Sequence, residues 1–323
     1  LAAPDDYFAF VESIPGYEVS TFRRDSVRFR TAEIQYENGA YSKAVNSFAV
    51  YLEKFPNGRN TLAAHYHSAE SYGILKEYDN ALEEYDAVVQ KGTSGYYLKA
   101  LTKAASLSYH HQQDFERAYG YYDKLTQITT DTKGKFDAQL GMMRSAYRNE
   151  NWTDAKNAGI SVLAHEDVTK EELSEAHYCV AKSSYDIDDL DGALRHFNEV
   201  TKYSNNAITA ESRYLIATVY YRRDQLDLSE QLTHNANADN SNYPYWVGKG
   251  LILLSDIYVA RRDYFNAKAP LEALIENYKG EAEIIEEARE KLLNVQELEQ
   301  MNSRLKADSD TLELDVIDHD GNE

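Results

Sequence analysis

The sequence predicts an all-α fold, an α-α superhelix of about seven helical pairs closed by a further helix, and three observations carry that prediction. Ala44, Ala81, Ala118 and Ala155 recur at a constant interval of 37 residues, and the register continues through Ala193, Ser229 and Ala267 with one-residue slips. Twelve residues upstream of each lies a second position, Ala32, Ala69, Ser106, Met143, Ala181, Ala217 and Ser255, small in six of seven units. Two small residues per unit imply two helices that cross closely. Breakers are few, five prolines and fifteen glycines in 323 residues. Self-similarity at such a period marks a solenoid, in which each unit leaves an apolar face bare until its neighbour covers it.

Leu1 to Ser20, with Phe8, Phe10, Val11, Ile14 and Pro15-Gly16, predicts a helical piece and a turn laid on the first unit as an N-terminal cap. From 21 to 280 each unit is helix, turn, helix. Apolar spacings of three and four flank polar turns such as Asn38-Gly39, Gln112-Gln113-Asp114 and Asn149-Glu150-Asn151, which puts the turns near 39, 76, 113, 150, 188, 224 and 262. Three residues before each marker stands Tyr41, Tyr78, Phe115, Trp152, Leu190, Leu226 or Tyr264; four after it stands Phe48, Tyr85, Tyr122, Phe197 or Leu271, with Gly159 and Thr233 as weak members. On the opening helix Arg23, Arg24, Arg28 and Arg30 read as the solvated side of a capping helix.

Later units carry their own boundary signals. Thr169-Lys170-Glu171-Glu172 is a capping box that opens the fifth unit. Asn242 with Pro244 opens the seventh in similar style. Pro270, three residues after Ala267, lacks the N–H that an established helix uses, so the second helix of that unit either starts late with Asn266 as cap or bends. Residues 281–299 place Ile284, Ile285, Ala288, Leu292, Val295 and Leu298 at helical spacing and form the C-terminal capping helix. Residues 300–323 are an acidic tail in which Leu312, Leu314 and Val316 alternate with Glu313 and Asp315. That period of two predicts an extended peptide laid against a repeat surface of its own or a neighbouring chain.

Gly39-Ala40-Tyr41-Ser42-Lys43-Ala44-Val45-Asn46-Ser47-Phe48 followed by Phe55-Pro56, and Glu77-Tyr78-Asp79-Asn80-Ala81-Leu82-Glu83-Glu84-Tyr85, resemble the tetratricopeptide repeat, which puts Ala and then an aromatic four later on its second helix. The resemblance covers residues 21 to 280 and implies a right-handed solenoid. The common period of that family is about 34 residues, and the added residues fall between Pro56 and Ala69. They lengthen the second helix or the link after it. Units of that length, with Tyr51-Leu52-Glu53-Lys54-Phe55-Pro56 and Ala63-Ala64-His65-Tyr66, look like those of bacterial envelope proteins, the outer-membrane assembly lipoproteins and TolA-binding periplasmic proteins, and of Bacteroidetes envelope repeats. The implied place is the periplasm or the outer membrane, the alternative being the cytoplasm, with any leader or lipid anchor outside this sequence.

A net charge of −20 and a pI near 4.9 speak against nucleic acid as a partner, because affinity for phosphates comes from cations. Residues 308–323 hold seven acids and no Lys or Arg. No run of about 18 apolar residues exists to span a membrane, so association with the envelope would be peripheral. The lone Cys179 reads as a buried thiol. His65 with His67, and His110 with His111, miss the i, i+3 or i+4 spacing that shares a helix face, so neither cofactor nor metal is expected. HExxH, GxSxG, CxxC and a phosphate-cradling glycine loop do not occur, and the expected role is not that of an enzyme.

Tyrosine is the abundant chemistry, with 27 copies. In tetratricopeptide arrays the first helix of each pair lines the concave groove. By that resemblance the groove candidates are Glu33, Tyr36, Tyr66, Glu70, His110, Arg144, Tyr147, Tyr178, Lys182, Tyr185, Tyr214, Tyr221 and Arg222. Tyrosine joins an apolar ring to a polar tip at low entropic cost and suits binding surfaces. Tyr72, Tyr109, Tyr220 and Tyr258 fall instead on positions that pack between helices. The implied function is a scaffold that offers a tyrosine-lined groove to a protein or peptide; a carbohydrate-binding module, with rings stacked on sugars, is the alternative.

Overall fold

The structure, a computed structural model, describes residues 4–92 and 94–319, with side chains as far as Arg304. The chain forms two compact units, residues 1–165 and 166–323. The first contains α1 (Pro4–Glu12), α2 (Thr21–Glu37), α3 (Tyr41–Lys54), α4 (Thr61–Ile74), α5 (Tyr78–Gln90), α6 (Tyr97–Leu107, continued by a π-helical turn Ser108–Gln112), α7 (Phe115–Ile128), α8 (Thr132–Arg148) and α9 (Trp152–Leu163). The second contains α10 (Lys170–Asp186), α11 (Leu190–Tyr203), α12 (Ala207–Arg222), α13 (Leu226–Asp239), α14 (Pro244–Ala260), α15 (Tyr264–Asn277) and α16 (Ala282–His319). Within each unit, helices adjacent in sequence pack on one another, and first helices of successive pairs also touch, α2 with α4 and α12 with α14. No strand occurs among the described residues. The fold is all-α, a solenoid of helical pairs.

The repeat arithmetic corresponds to one physical feature, a left-handed residue in the turn of each pair. Gly39, Lys76, Gln113, Glu150, Asp188, Asp224 and Arg262 have φ between 55° and 73°. In six of the seven turns the following N–H returns to the carbonyl five residues back, as from Ala40 to Gln35 (2.8 Å), Asn151 to Ala146 (2.9 Å) and Asp263 to Tyr258 (2.8 Å). This is the Schellman closure, which ends the first helix. The same residue then caps the second helix: the side chains of Asn151, Asp189 and Asp263 accept from the N–H three residues on. Second helices hold to 12–14 residues, as in α9 and α11. The residues added to the unit therefore lie in the links and in first helices, which reach 17 residues in α2, α8, α10 and α14.

The marker positions are the innermost points of the pairs. Ala44, Ala81, Ala118, Ala155, Ala193, Ser229 and Ala267 are all 0 % exposed. Ser229 shows why they must be small: its hydroxyl donates to the carbonyl of Ala217, twelve residues upstream on the facing helix, at 2.8 Å. The upstream partner is likewise buried in six pairs, but Ser106 is exposed and Ala105 takes its place. The π-turn is the cause. It holds one more residue than an α-turn, so Asp114 N–H reaches six residues back to Ser108 (3.0 Å) and everything N-terminal to it shifts by one.

Five further expectations are corrected. Arg23 and Arg30 are exposed as expected, but Arg28 is buried and Arg24 half-buried: these two pair with Asp5 and Glu12, and their guanidiniums lie 5.4 and 4.9 Å from the ring of Phe8, which clamps α1 onto α2. The cap before Pro244 is Tyr243, not Asn242, with Pro244 at the first helical position. Helix α15 neither starts late nor breaks at Pro270; Asp263 caps it and it runs from Tyr264 through Asn277 as α-helix. Its early start is fixed by that cap, and Pro270 withdraws one hydrogen bond from the carbonyl of the exposed Asn266, which water can serve. Finally, α16 does not stop at 299 but continues to His319, so residues 300–319 are helical and not an extended peptide. Neither Pro nor Gly occurs between Gly280 and Gly321 to end the helix. The docking expected of the tail on a repeat surface turns on side chains from residue 305 onward, which lie outside those described.

Candidate functional site

In the first unit, tyrosines of the first helices rest edge-on against the aromatic that opens the second helix. Tyr36 meets Tyr41 at 6.0 Å and 67°, and Tyr147 meets Trp152 at 5.7 Å and 69°. In the third pair the ring in this place is Tyr109, against Phe115 at 5.3 Å and 66°. His110, expected there, is exposed one position further on, displaced by the π-turn. Tyr109 therefore exchanges its expected packing position for the first-helix row. Edge-to-face contact fixes the ring without covering its hydroxyl end. Arg144 lies half-buried one turn before Tyr147 on α8.

Around Tyr36 a denser cluster forms between α2, α4 and the start of α6. Tyr36 donates its hydroxyl to Glu70 Oε2 at 2.9 Å. Tyr66, buried, lies 4.9 Å from the Tyr96 ring and 5.9 Å from Tyr85, and burial together with the Glu70 charge pushes its hydroxyl up to about 12. His67 stands 4.6 Å from Tyr36 and 5.7 Å from Tyr66; burial lowers its pKa, and its Nδ1 is buried without a hydrogen-bond partner. Glu33, half-buried, is paired with Arg30.

In the second unit Tyr185 is flanked by cations. The Arg222 guanidinium lies 4.8 Å from its ring centroid and Lys182 Nζ 5.8 Å, while Arg222 pairs with Asp188 (2.6 Å) and Lys182 with Asp186. Tyr178 sits beside Phe197 at 6.4 Å and is hydrogen-bonded to Glu211, whose carboxyl burial pushes up. Tyr214 lies 5.6 Å from Trp246. Tyr221 packs, partly buried, on a small cluster with Ala217, Leu253 and Ile257. Tyr220 and Tyr258 pack between helices, as does Tyr72 in the first unit. Sequence reasoning missed Tyr96, Glu211 and Trp246. Tyr96 is a link residue, and Glu211 and Trp246 stand further from the marker than the turns used for counting.

Two of the histidines, His65 and His177, meet partners from the facing helix. His65 Nδ1 meets Glu84 at 2.6 Å, and His177 Nδ1 meets His196 Nδ1 at 2.9 Å, with Tyr203 stacked on His177. No group of three potential ligands occurs among the described residues. Cys179 is 3 % exposed, and burial pushes its thiol up to about 12, which leaves it a packing residue. No helix among the described residues is long and apolar enough to cross a membrane.

Residues 26–58, which span most of α2 and all of α3, match the family model of the tetratricopeptide repeat. No curated protein matches the sequence significantly. Among solved structures, the C-terminal part of a TPR repeat-containing protein from Cytophaga hutchinsonii is similar at 15% identity, over 80% of this chain and 98% of that one, with a TM-score of 0.51. The apo form of RapI is similar at 13% identity, over 91% of each chain, with a TM-score of 0.54. These likenesses show the fold, that of a tetratricopeptide-type solenoid.

Proposed function

We propose that the chain is a non-catalytic scaffold that binds a protein or peptide partner on the tyrosine-bearing faces of its first helices, as part of a bacterial envelope assembly in the periplasm or at the outer membrane. Solenoids of this type typically serve as protein-binding scaffolds. The observation that carries the reading is the row of half-buried tyrosines held edge-on at one repeat position, Tyr36, Tyr109 and Tyr147. A ring whose rotamer is already fixed loses little entropy when a partner covers it. Tyr185 with Lys182 and Arg222 gives the second unit an aromatic and cationic counterpart. The length of the repeat unit supports the envelope setting.

Affinity capture from an extract of the native cell tests the binding claim. The wild-type chain is expected to retain a partner that the combined Tyr36→Ala, Tyr147→Ala and Tyr185→Ala variant, checked for an unchanged helical spectrum, retains at least tenfold less. Equal retention by both would refute it. Recovery in the cytosolic fraction on cell fractionation would overturn the envelope setting.

A further inference from the structure

Glu70 is held in an unusual way for a charged group on a helix of this array. One oxygen, Oε2, accepts from the neutral hydroxyl of Tyr36 at 2.9 Å, and the hydroxyl of the buried Tyr66 also interacts with the Glu70 carboxylate. Neutral donors orient a carboxylate without cancelling its charge. The other oxygen, Oε1, lies 3.6 Å from Lys103 Nζ, on a side chain that is 57% exposed. That separation exceeds a direct charge-assisted hydrogen bond. The neighbouring carboxylates differ: Glu33 and Glu37 are both taken up by Arg30.

Beside this carboxylate the rings of Tyr36, Tyr66, His67 and Tyr96 are continuous, with successive centroids 4.6 to 6.0 Å apart. Ring faces carry negative potential and attract cations, the more so when partly desolvated. His67 does not offset this, because burial keeps its imidazole neutral near pH 7. An oriented, under-compensated carboxylate beside an aromatic wall is complementary to an ammonium or guanidinium on an apolar stem.

We infer that Glu70, with the part-exposed rings of Tyr36, His67 and Tyr96 backed by the buried Tyr66, seats a lysine or arginine side chain of the bound partner. Lys103 is the internal placeholder, mobile enough to leave when a partner's cation arrives. This rests on the first-helix face being the binding surface and adds the chemistry of what binds there.

The test uses the full chain and a hexalysine peptide, titrated by calorimetry at two salt concentrations. The comparison is Glu70→Gln against Glu53→Gln, which removes the same charge from an exposed site on α3. Glu70→Gln is expected to weaken binding at least tenfold and Glu53→Gln less than twofold. Lys103→Gln is expected to tighten it several-fold, an effect that a purely structural Glu70 would not produce. Tyr36→Phe, which keeps the ring and removes the hydroxyl, gives an intermediate loss and serves as second variant if Glu70→Gln melts early. Equal losses at Glu70 and Glu53, or weaker binding by Lys103→Gln, overturn the inference. If partner capture still depends on Tyr147 and Tyr185 in that event, the proposed function stands without it.

Discussion

Removing the Asp25 carboxylate strands two donors at once. Asp25, 8 % exposed, accepts the Tyr51 hydroxyl at 2.9 Å and the Arg59 N–H at 3.3 Å, and Tyr51 is itself wholly buried. A buried donor left without a partner costs about 1–3 kcal/mol. Asp25→Ala is expected to lower stability by about 2–3 kcal/mol and Tyr51→Phe by about 1 kcal/mol in urea unfolding. The histidines make a separate prediction at this scale. Burial lowers the pKa of His67 and His177 from the usual 6.5, so the unfolded chain takes up the protons first as pH falls. Their contribution is fully present above about pH 6.5 and is lost as pH falls from there toward the lowered values. The combined His67→Gln and His177→Gln variant should therefore show a flatter decline in melting temperature between pH 7 and 5.5 than the wild type. A parallel decline would contradict it.

The first helices of the pairs end on left-handed residues, and six of the seven are not glycine. An L side chain at positive φ pays a steric cost that glycine does not. Lys76→Gly, Glu150→Gly and Arg262→Gly should each raise stability by about 0.5–1 kcal/mol, while Gly39→Ala should lower it by about 1 kcal/mol, measured by thermal melts. These turns were legible in the sequence because the marker residues fix the helix crossing and the left-handed residue stands at a constant offset before each of them. The third pair was not fully legible. Ser106 stands twelve residues before Ala118 like every other partner, so the spacing hides the extra residue of the π-turn. The adjacent Ala104-Ala105 was the available signal. The tail misled for another reason: alternation over 312–316 is a weak cue when nothing upstream stops the helix.

Across the whole molecule the two units differ in charge. Residues 1–165 hold 21 acids and 18 Lys or Arg, whereas residues 166–323 hold 33 and 16. Position along the repeat placed most candidate side chains on the first helices, and the structure then separates them by contact. Tyr36 with Glu70, and Tyr185 with Lys182 and Arg222, form groups, whereas His110 stands apart. Which first-helix tyrosines meet a carboxylate or a cation from the next pair depends on contacts between residues about 33 to 37 apart, as in Tyr36 with Glu70 and Tyr185 with Arg222, and a count along the chain does not contain them. The central claim is that partners meet the first-helix tyrosines. Its most direct test is a photo-crosslinking residue placed at Tyr147 on α8, at Tyr185 on α10, or at Ile160, 48 % exposed on the second helix α9. The account predicts a partner polypeptide crosslinked from positions 147 and 185 and none from 160; crosslinking from 160 alone, or equally from all three, would contradict it.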